Sequence, residues 1–201
     1  MSKDVMAELK RDHIAKLLTK GTRSDGRGFE EMRPLKITTD YIKSAEGSAR
    51  VQLGGTDVVV GVKLMVGEPF GDTPDKGVLT TNAELIPMAS ETFESGPPDK
   101  ESIEISRVID RGIREGHAVD LSKLCIEKGK EVWIMFLDVH VVDYDGNLFD
   151  AANIAANAAL KTAVVPAKRA GKGEDFPLPL QHTPISLTVV KIDDKILVDP
   201  T

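Results

Sequence analysis

Two glycines, Gly54-Gly55, stand between two apolar runs at residues 49–53 and 57–66, and no other feature restricts the folding of this chain so narrowly. A Gly-Gly step between apolar runs is the signature of a tight hairpin, because glycine accepts the backbone angles that such a turn demands. The second run carries Val58, Val59, Val60, Val62, Leu64 and Val66. Branched and aliphatic side chains in that density suit a strand buried in a sheet. The chain is therefore expected to build a sheet with a substantial core around this hairpin.

The flanking segments fit that frame. Val5, Met6, Leu9, His13, Leu17 and Leu18 recur at helical spacing, which predicts a helix over 3–20 closed by Gly21. Residues 22–31 read as a polar loop, 35–38 as a short strand, 67–77 as an exposed loop and 78–87 as a further strand. After a loop over 91–100, residues 102–117 form a predicted helix with Ile105, Val108, Ile109, Gly112 and Ile113 on its apolar face. Residues 132–142 make a long apolar run, predicted as a central strand, and Asp145-Gly146 turns the chain. Residues 148–161 are dominated by alanine, so another backbone is expected to approach that helix closely. A last hairpin is expected from 185–190 and 195–198 about Asp193-Asp194. Strands that precede and alternate with helices give an α+β or α/β class with a mixed sheet packed against helices. The domain reading is an N-terminal helix over 1–21 followed by one domain over 22–201. Its ending directly after a strand predicts that a C-terminal segment is lacking.

Composition narrows the setting. Of 201 residues, 41% are hydrophobic and 29% charged, an ordinary globular balance. No apolar run approaches the length that spans a bilayer, and the polar Met1-Ser2-Lys3-Asp4 start lacks a secretory signal. Cys125 is the only cysteine, which rules out an internal disulfide and a cysteine-rich zinc site. The expectation is a cytoplasmic protein without membrane partners, and a small core role for Cys125 between Leu124 and Ile126. A net charge of -6 opposes general coating of nucleic acid, so any such contact must be a local cluster of arginines.

Three groups of residues invite a chemical role. Arg107, Arg111 and Arg114 share one face of the helix predicted over 102–117. The planar fork of arginine matches phosphate, so the face suits a phosphate or RNA-backbone contact. On spacing alone the favoured reading is the other one, a solvated face in which Glu104, Asp110 and Glu115 pair with these arginines. Arg23-Ser24-Asp25-Gly26-Arg27 is a turn whose two arginines reach phosphates, a neighbouring subunit, or nothing at all. Asp138, His140, Asp143 and Asp145 suggest a metal, but the calcium-loop pattern is broken and a strand end with a turn explains them better. No nucleophile elbow, phosphate-binding loop or dinucleotide fingerprint occurs, and His13, His117, His140 and His182 lack ligand spacing. No catalytic residue, metal site or bound cofactor is expected of this chain.

Three segments in register resemble the ribonuclease PH family. They are Arg23-Ser24-Asp25-Gly26-Arg27, then Glu46-Gly47-Ser48 through Gly54-Gly55-Thr56-Asp57-Val58, then Val142-Asp143-Tyr144-Asp145-Gly146-Asn147 with the helix that begins Asp150-Ala151-Ala152-Asn153. Within the family, the N-terminal helix, the stretch from Ile105 to Glu115 and the ending Ile196-Leu197-Val198-Asp199-Pro200 are similar to the non-catalytic ring subunit of archaeal exosomes. The resemblance implies the ribonuclease PH fold, related to domain 2 of ribosomal protein S5, with a left-handed β-α-β crossover. It implies a ring of three heterodimers with a catalytic ribonuclease PH-like subunit, RNA-binding cap subunits and single-stranded RNA. Inorganic phosphate would be used by the partner's active site. Catalytic members carry an aspartate where this chain has Gln181-His182-Thr183-Pro184, so the chain is expected to be inactive alone. The resemblance assigns RNA-backbone contact to Arg107 and Arg111, with Arg114 as a further candidate and Arg23 and Arg27 as loop or interface contacts. The rival readings are a self-sufficient phosphorolytic exoribonuclease of the same family and a general RNA-binding module, which the charge of -6 opposes.

Overall fold

A computed structural model describes residues 3–201, with side chains from Arg11 onward. The chain forms two compact units, one of Leu35–Ser186 and one of Met1–Pro34 with Leu187–Thr201.

The larger unit is built on a mixed sheet. Its strands are β1 (Leu35–Thr39), β2 (Gly47–Leu53), β3 (Thr56–Gly67), β4 (Val78–Leu85), β5 (Cys125–Glu127) and β6 (Glu131–Asp143). The order is β1-β2-β3-β6-β4, with β5 paired to β6. The predicted hairpin is β2-β3, in register Leu53 opposite Thr56 through Gly47 opposite Val62, with Gly54 at φ 58°. Thr56 fixes its position: its hydroxyl donates to the Gly146 carbonyl at 2.7 Å and accepts the Asp145 N–H at 3.0 Å. This ties the Gly-Gly-Thr turn to the Asp-Gly turn 90 residues later. β6 is the central strand and alternates as a half-covered strand must, with Trp133, Met135, Leu137, Val139 and Val141 buried on one face and Asp138 and His140 on the other.

Two helices cover the sheet. α2 (Lys100–Glu115) joins β4 to β6, which run parallel. It starts on Asp99, whose carboxylate accepts the Ser102 N–H at 2.8 Å. Its buried stripe is Ser102, Ile105, Ile109 and Ile113. Val108, expected in that stripe, is 44% exposed, because the isoleucines four residues apart already fill the contact with the sheet. α3 (Leu148–Thr162) buries Ala151, Ala152, Ala155, Ala156 and Ala159. The close approach that alanine foretold is made by β2: a Cβ on Gly47 would lie 2.4 Å from the Ala159 carbonyl oxygen. Short elements escaped prediction, namely a 3-10 turn at Leu121–Leu124, β5, and the pair β7 (Val164–Val165) and β8 (Phe176–Pro177). Cys125 falls on β5 and is partly exposed rather than a core residue.

The smaller unit contains α1 (Lys3–Thr19) and the hairpin β9 (Val189–Ile192) with β10 (Lys195–Val198). Gly21 closes α1 as expected, with φ 76° and its N–H on the Leu18 carbonyl at 3.1 Å. The side chains of Val5, Met6 and Leu9 lie outside the described residues; Leu18 is buried and His13 exposed. The strand expected from residue 185 begins at Val189. Upstream, Pro184 gives its carbonyl to the Asn157 amide at 2.8 Å and Ser186 donates to Asp150 at 2.7 Å, so this stretch bonds to α3 and not to a strand.

Candidate nucleic-acid interface

α2 has an inner stripe locked into the sheet and an outer face that is open. Lys100, Arg107 and Arg111 are exposed on that outer face, with Ile103 and Val108 41% and 44% exposed beside them. Arg107 and Arg111 lie one turn apart, about 6 Å along the axis. Among the described residues neither makes an ion pair or a side-chain hydrogen bond. Together with Glu104, Gly112 and Glu115 they line a groove of about 690 Å³.

Arg114 behaves differently. It forms an i,i+4 pair with Asp110, with Nη2 2.9 Å and Nε 3.0 Å from the carboxylate oxygens, and it donates to the Leu79 carbonyl at 3.1 Å. The Asp110 carboxylate holds this guanidinium above its ordinary range. The face read from spacing as a triad is thus two available cations and one engaged one. The orientation of the pairs explains part of this. Asp110 precedes Arg114, the favoured order against the helix dipole, whereas Arg111 precedes Glu115.

Arg23 and Arg27 are spent inside the smaller unit rather than turned toward a phosphate or a neighbour. Arg23 is 6% exposed and donates to the Val198 and Asp199 carbonyls at 2.6 and 2.7 Å. Arg27 reaches Asp25, the Glu31 carbonyl and the Asp199 carboxylate, the last at 2.7 Å. Arg33, which sequence reading passed over, closes on Asp199 through Nη2 at 2.8 Å and Nε at 2.9 Å, and its own backbone N–H adds a third bond. Asp199 is fully buried. Burial and the neighbouring Arg27 lower the Arg23 pKa against the pull of Asp25 and Asp199. For Asp25, burial acts upward, but the hydrogen bonds from Arg27 outweigh it and the carboxyl titrates below its usual range.

The remaining candidates do not converge. His140 faces Glu84 at 3.3 Å, Asp143 accepts its neighbour's N–H, and Asp145 sits under Gly55. Among the described residues no three His, Cys, Asp or Glu side chains are grouped to hold a metal ion. The Gln181-His182-Thr183-Pro184 stretch brings no carboxylate of its own. Asp150 of α3 does reach the neighbouring Ser186, but it is fully buried and both its oxygens are engaged, one by Ser186 and one by the Asn147 amide at 2.9 Å.

Comparison with known proteins gives the family and the fold. The model of the 3′ exoribonuclease family, domain 1, matches residues 31–166. The chain is 57% identical over 201 residues to the exosome complex component Rrp42 of Methanocella arvoryzae, covering 100% of this chain and 77% of that protein. Its structure superposes with a TM-score of 0.93 on a chain of the Archaeoglobus fulgidus exosome with RNA bound to the active site, at 55% identity over 98% of this chain and 77% of that one. A chain of an archaeal exosome core gives a TM-score of 0.89 at 51% identity, covering 100% and 76%. The fold is that of these neighbours, an α+β ribonuclease PH domain.

Proposed function

Because the chain belongs to the 3′ exoribonuclease family that includes ribonuclease PH, we propose that it is a non-catalytic, RNA-contacting ring subunit of an archaeal exosome. It works beside a catalytic ribonuclease PH-like subunit in a ring of three heterodimers, under RNA-binding caps, in the cytoplasm. The observation that carries this reading is the outer face of α2, where Arg107 and Arg111 stand exposed and uncommitted while Arg114 is closed on Asp110. Uncommitted guanidiniums one helical turn apart suit two phosphates of one strand. Such contacts ignore base identity, as a processive exonuclease requires.

The chemistry belongs to the partner. Inorganic phosphate attacks the phosphorus of the last linkage, and the 3′ oxygen of the preceding nucleotide leaves. Arg107 and Arg111 hold the strand in line for that attack and offset its charge; they transfer no proton. Against a self-sufficient enzyme stands the stretch at 181–184, which brings no carboxylate. The test is to supply RNA and inorganic phosphate first to the isolated chain and then to the chain assembled with its catalytic partner. Nucleoside diphosphate release is expected only from the assembly. Release by the isolated chain would establish the rival enzyme instead.

A further inference from the structure

We propose that the cavity at the C-terminal end of α2 is a nucleotide subsite in which the ring of Phe70 stacks on an RNA base. This rests on the reading that the α2 face holds RNA, and extends the path that the strand follows. Phe70 is 55% exposed, more than any other aromatic side chain among the described residues. Other aromatics near the surface are already matched: Tyr144 lies against Phe93 with ring centroids 5.2 Å apart, and Tyr41 lies under the Arg50 guanidinium at 5.4 Å. Phe70 has neither kind of partner among the described residues.

The ring is presented on a fixed support. Its loop is fastened by the Gly77 N–H on the Leu121 carbonyl at 2.8 Å and by the Gly129 N–H on the Pro74 carbonyl at 2.7 Å. Within the loop the Thr73 N–H returns to the Phe70 carbonyl at 3.1 Å. With the backbone under the ring already held, little loop ordering is left to be done when a base settles on it.

The cavity beside the ring measures about 450 Å³ and is lined by Lys76, Arg114, Glu115, His117 and Gln181 as well as Phe70. That size lies within the roughly 300–1,000 Å³ of small-molecule sites. Lys76 makes no ion pair among the described residues, so its ammonium is available to a phosphate. The Asp120 carboxylate on the same wall is occupied by Ser122 at 2.5 Å and Lys123 at 3.6 Å. Glu115 borders both this cavity and the α2 groove, which makes the two neighbours at the end of the helix. An available cation beside an aromatic platform is a combination by which proteins hold single strands without reading sequence.

The experiment uses the chain assembled with its catalytic partner and RNAs carrying 2-aminopurine at successive positions from the 3′ end. Stacking on Phe70 is expected to quench one position. Phe70→Ala should remove that quench and weaken binding of RNAs long enough to reach the cavity by roughly 5- to 100-fold. Phe70→Tyr should keep both, and shorter RNAs should bind Phe70→Ala as tightly as the wild type. Unchanged affinity and quenching in Phe70→Ala overturn the subsite, as does a variant that loses only ring assembly and thereby marks Phe70 as a subunit contact. Arg107→Glu/Arg111→Glu runs in parallel. If it loses RNA while Phe70→Ala does not, the subsite alone is wrong; if it too binds as the wild type, the α2 reading has failed.

Discussion

Arginine is used in two opposite ways in this molecule. Around Asp199, Arg23, Arg27 and Arg33 are buried or nearly so, and each is held by carboxylates or carbonyls of distant sequence. On α2, Arg107 and Arg111 stand in solvent with no ion pair among the described residues. The first group converges on one enclosed charge and fastens the loop after α1 to the end of the chain. The second presents charge that the fold leaves unmatched. What separates the two groups is whether the chain supplies the anion for its arginine.

That contrast can be broken from either side, and the largest effect lies in the clasp. Asp199→Ala leaves Arg33 and Arg27 without their buried carboxylate, and should cost about 3–5 kcal/mol of stability in urea or thermal unfolding. A loss below 1 kcal/mol would show that the cluster is not the fastening it looks to be. Next in size, Arg107→Glu/Arg111→Glu should weaken RNA binding by the assembled ring at least roughly a hundredfold, since two charge-assisted contacts go and two repulsions appear. The same variant should unfold within about 0.5 kcal/mol of the wild type, as surface changes do. Third, Asp110→Asn converts an engaged arginine into an available one. It should lower stability by about 0.3–0.5 kcal/mol, and tighten RNA binding by a factor of roughly two through Arg114. Unaltered RNA binding would mean that the Leu79 carbonyl alone keeps Arg114 from the strand.

The smallest effect is on acid stability. Asp25 is slightly desolvated, which the hydrogen bonds from Arg27 outweigh, so its folded pKa is depressed below the ordinary 3.8. The stability from this pair is therefore complete above pH 3.8 and is lost as pH falls through the lower folded value. Asp25→Asn should flatten that part of an acid unfolding curve.

Much of the larger unit was legible in sequence because its signals are local. The Gly54-Gly55 turn, the β-branched run into β3, the apolar β6 and the alanines of α3 each act within a few residues, and each element stands where it was expected. Long-range commitments were not legible. Nothing near Arg27 or Arg33 announces a carboxylate more than 160 positions away at Asp199. The spacing of Arg107, Arg111 and Arg114 put three cations on one face but could not tell which would be taken; only the packed helix shows Asp110 closing on the third. Phe70 carried no signal either, since an aromatic in a loop is as often tucked under as displayed.

The most direct test is the salt dependence of RNA affinity for the assembled ring. For single strands the logarithm of affinity falls with the logarithm of salt by about 0.7 per phosphate neutralised. Arg107→Ala/Arg111→Ala should therefore make the slope shallower by about 1.4, while Arg114→Ala leaves it unchanged. A slope identical to the wild type in the double variant would contradict the claim that these two guanidiniums grip the backbone.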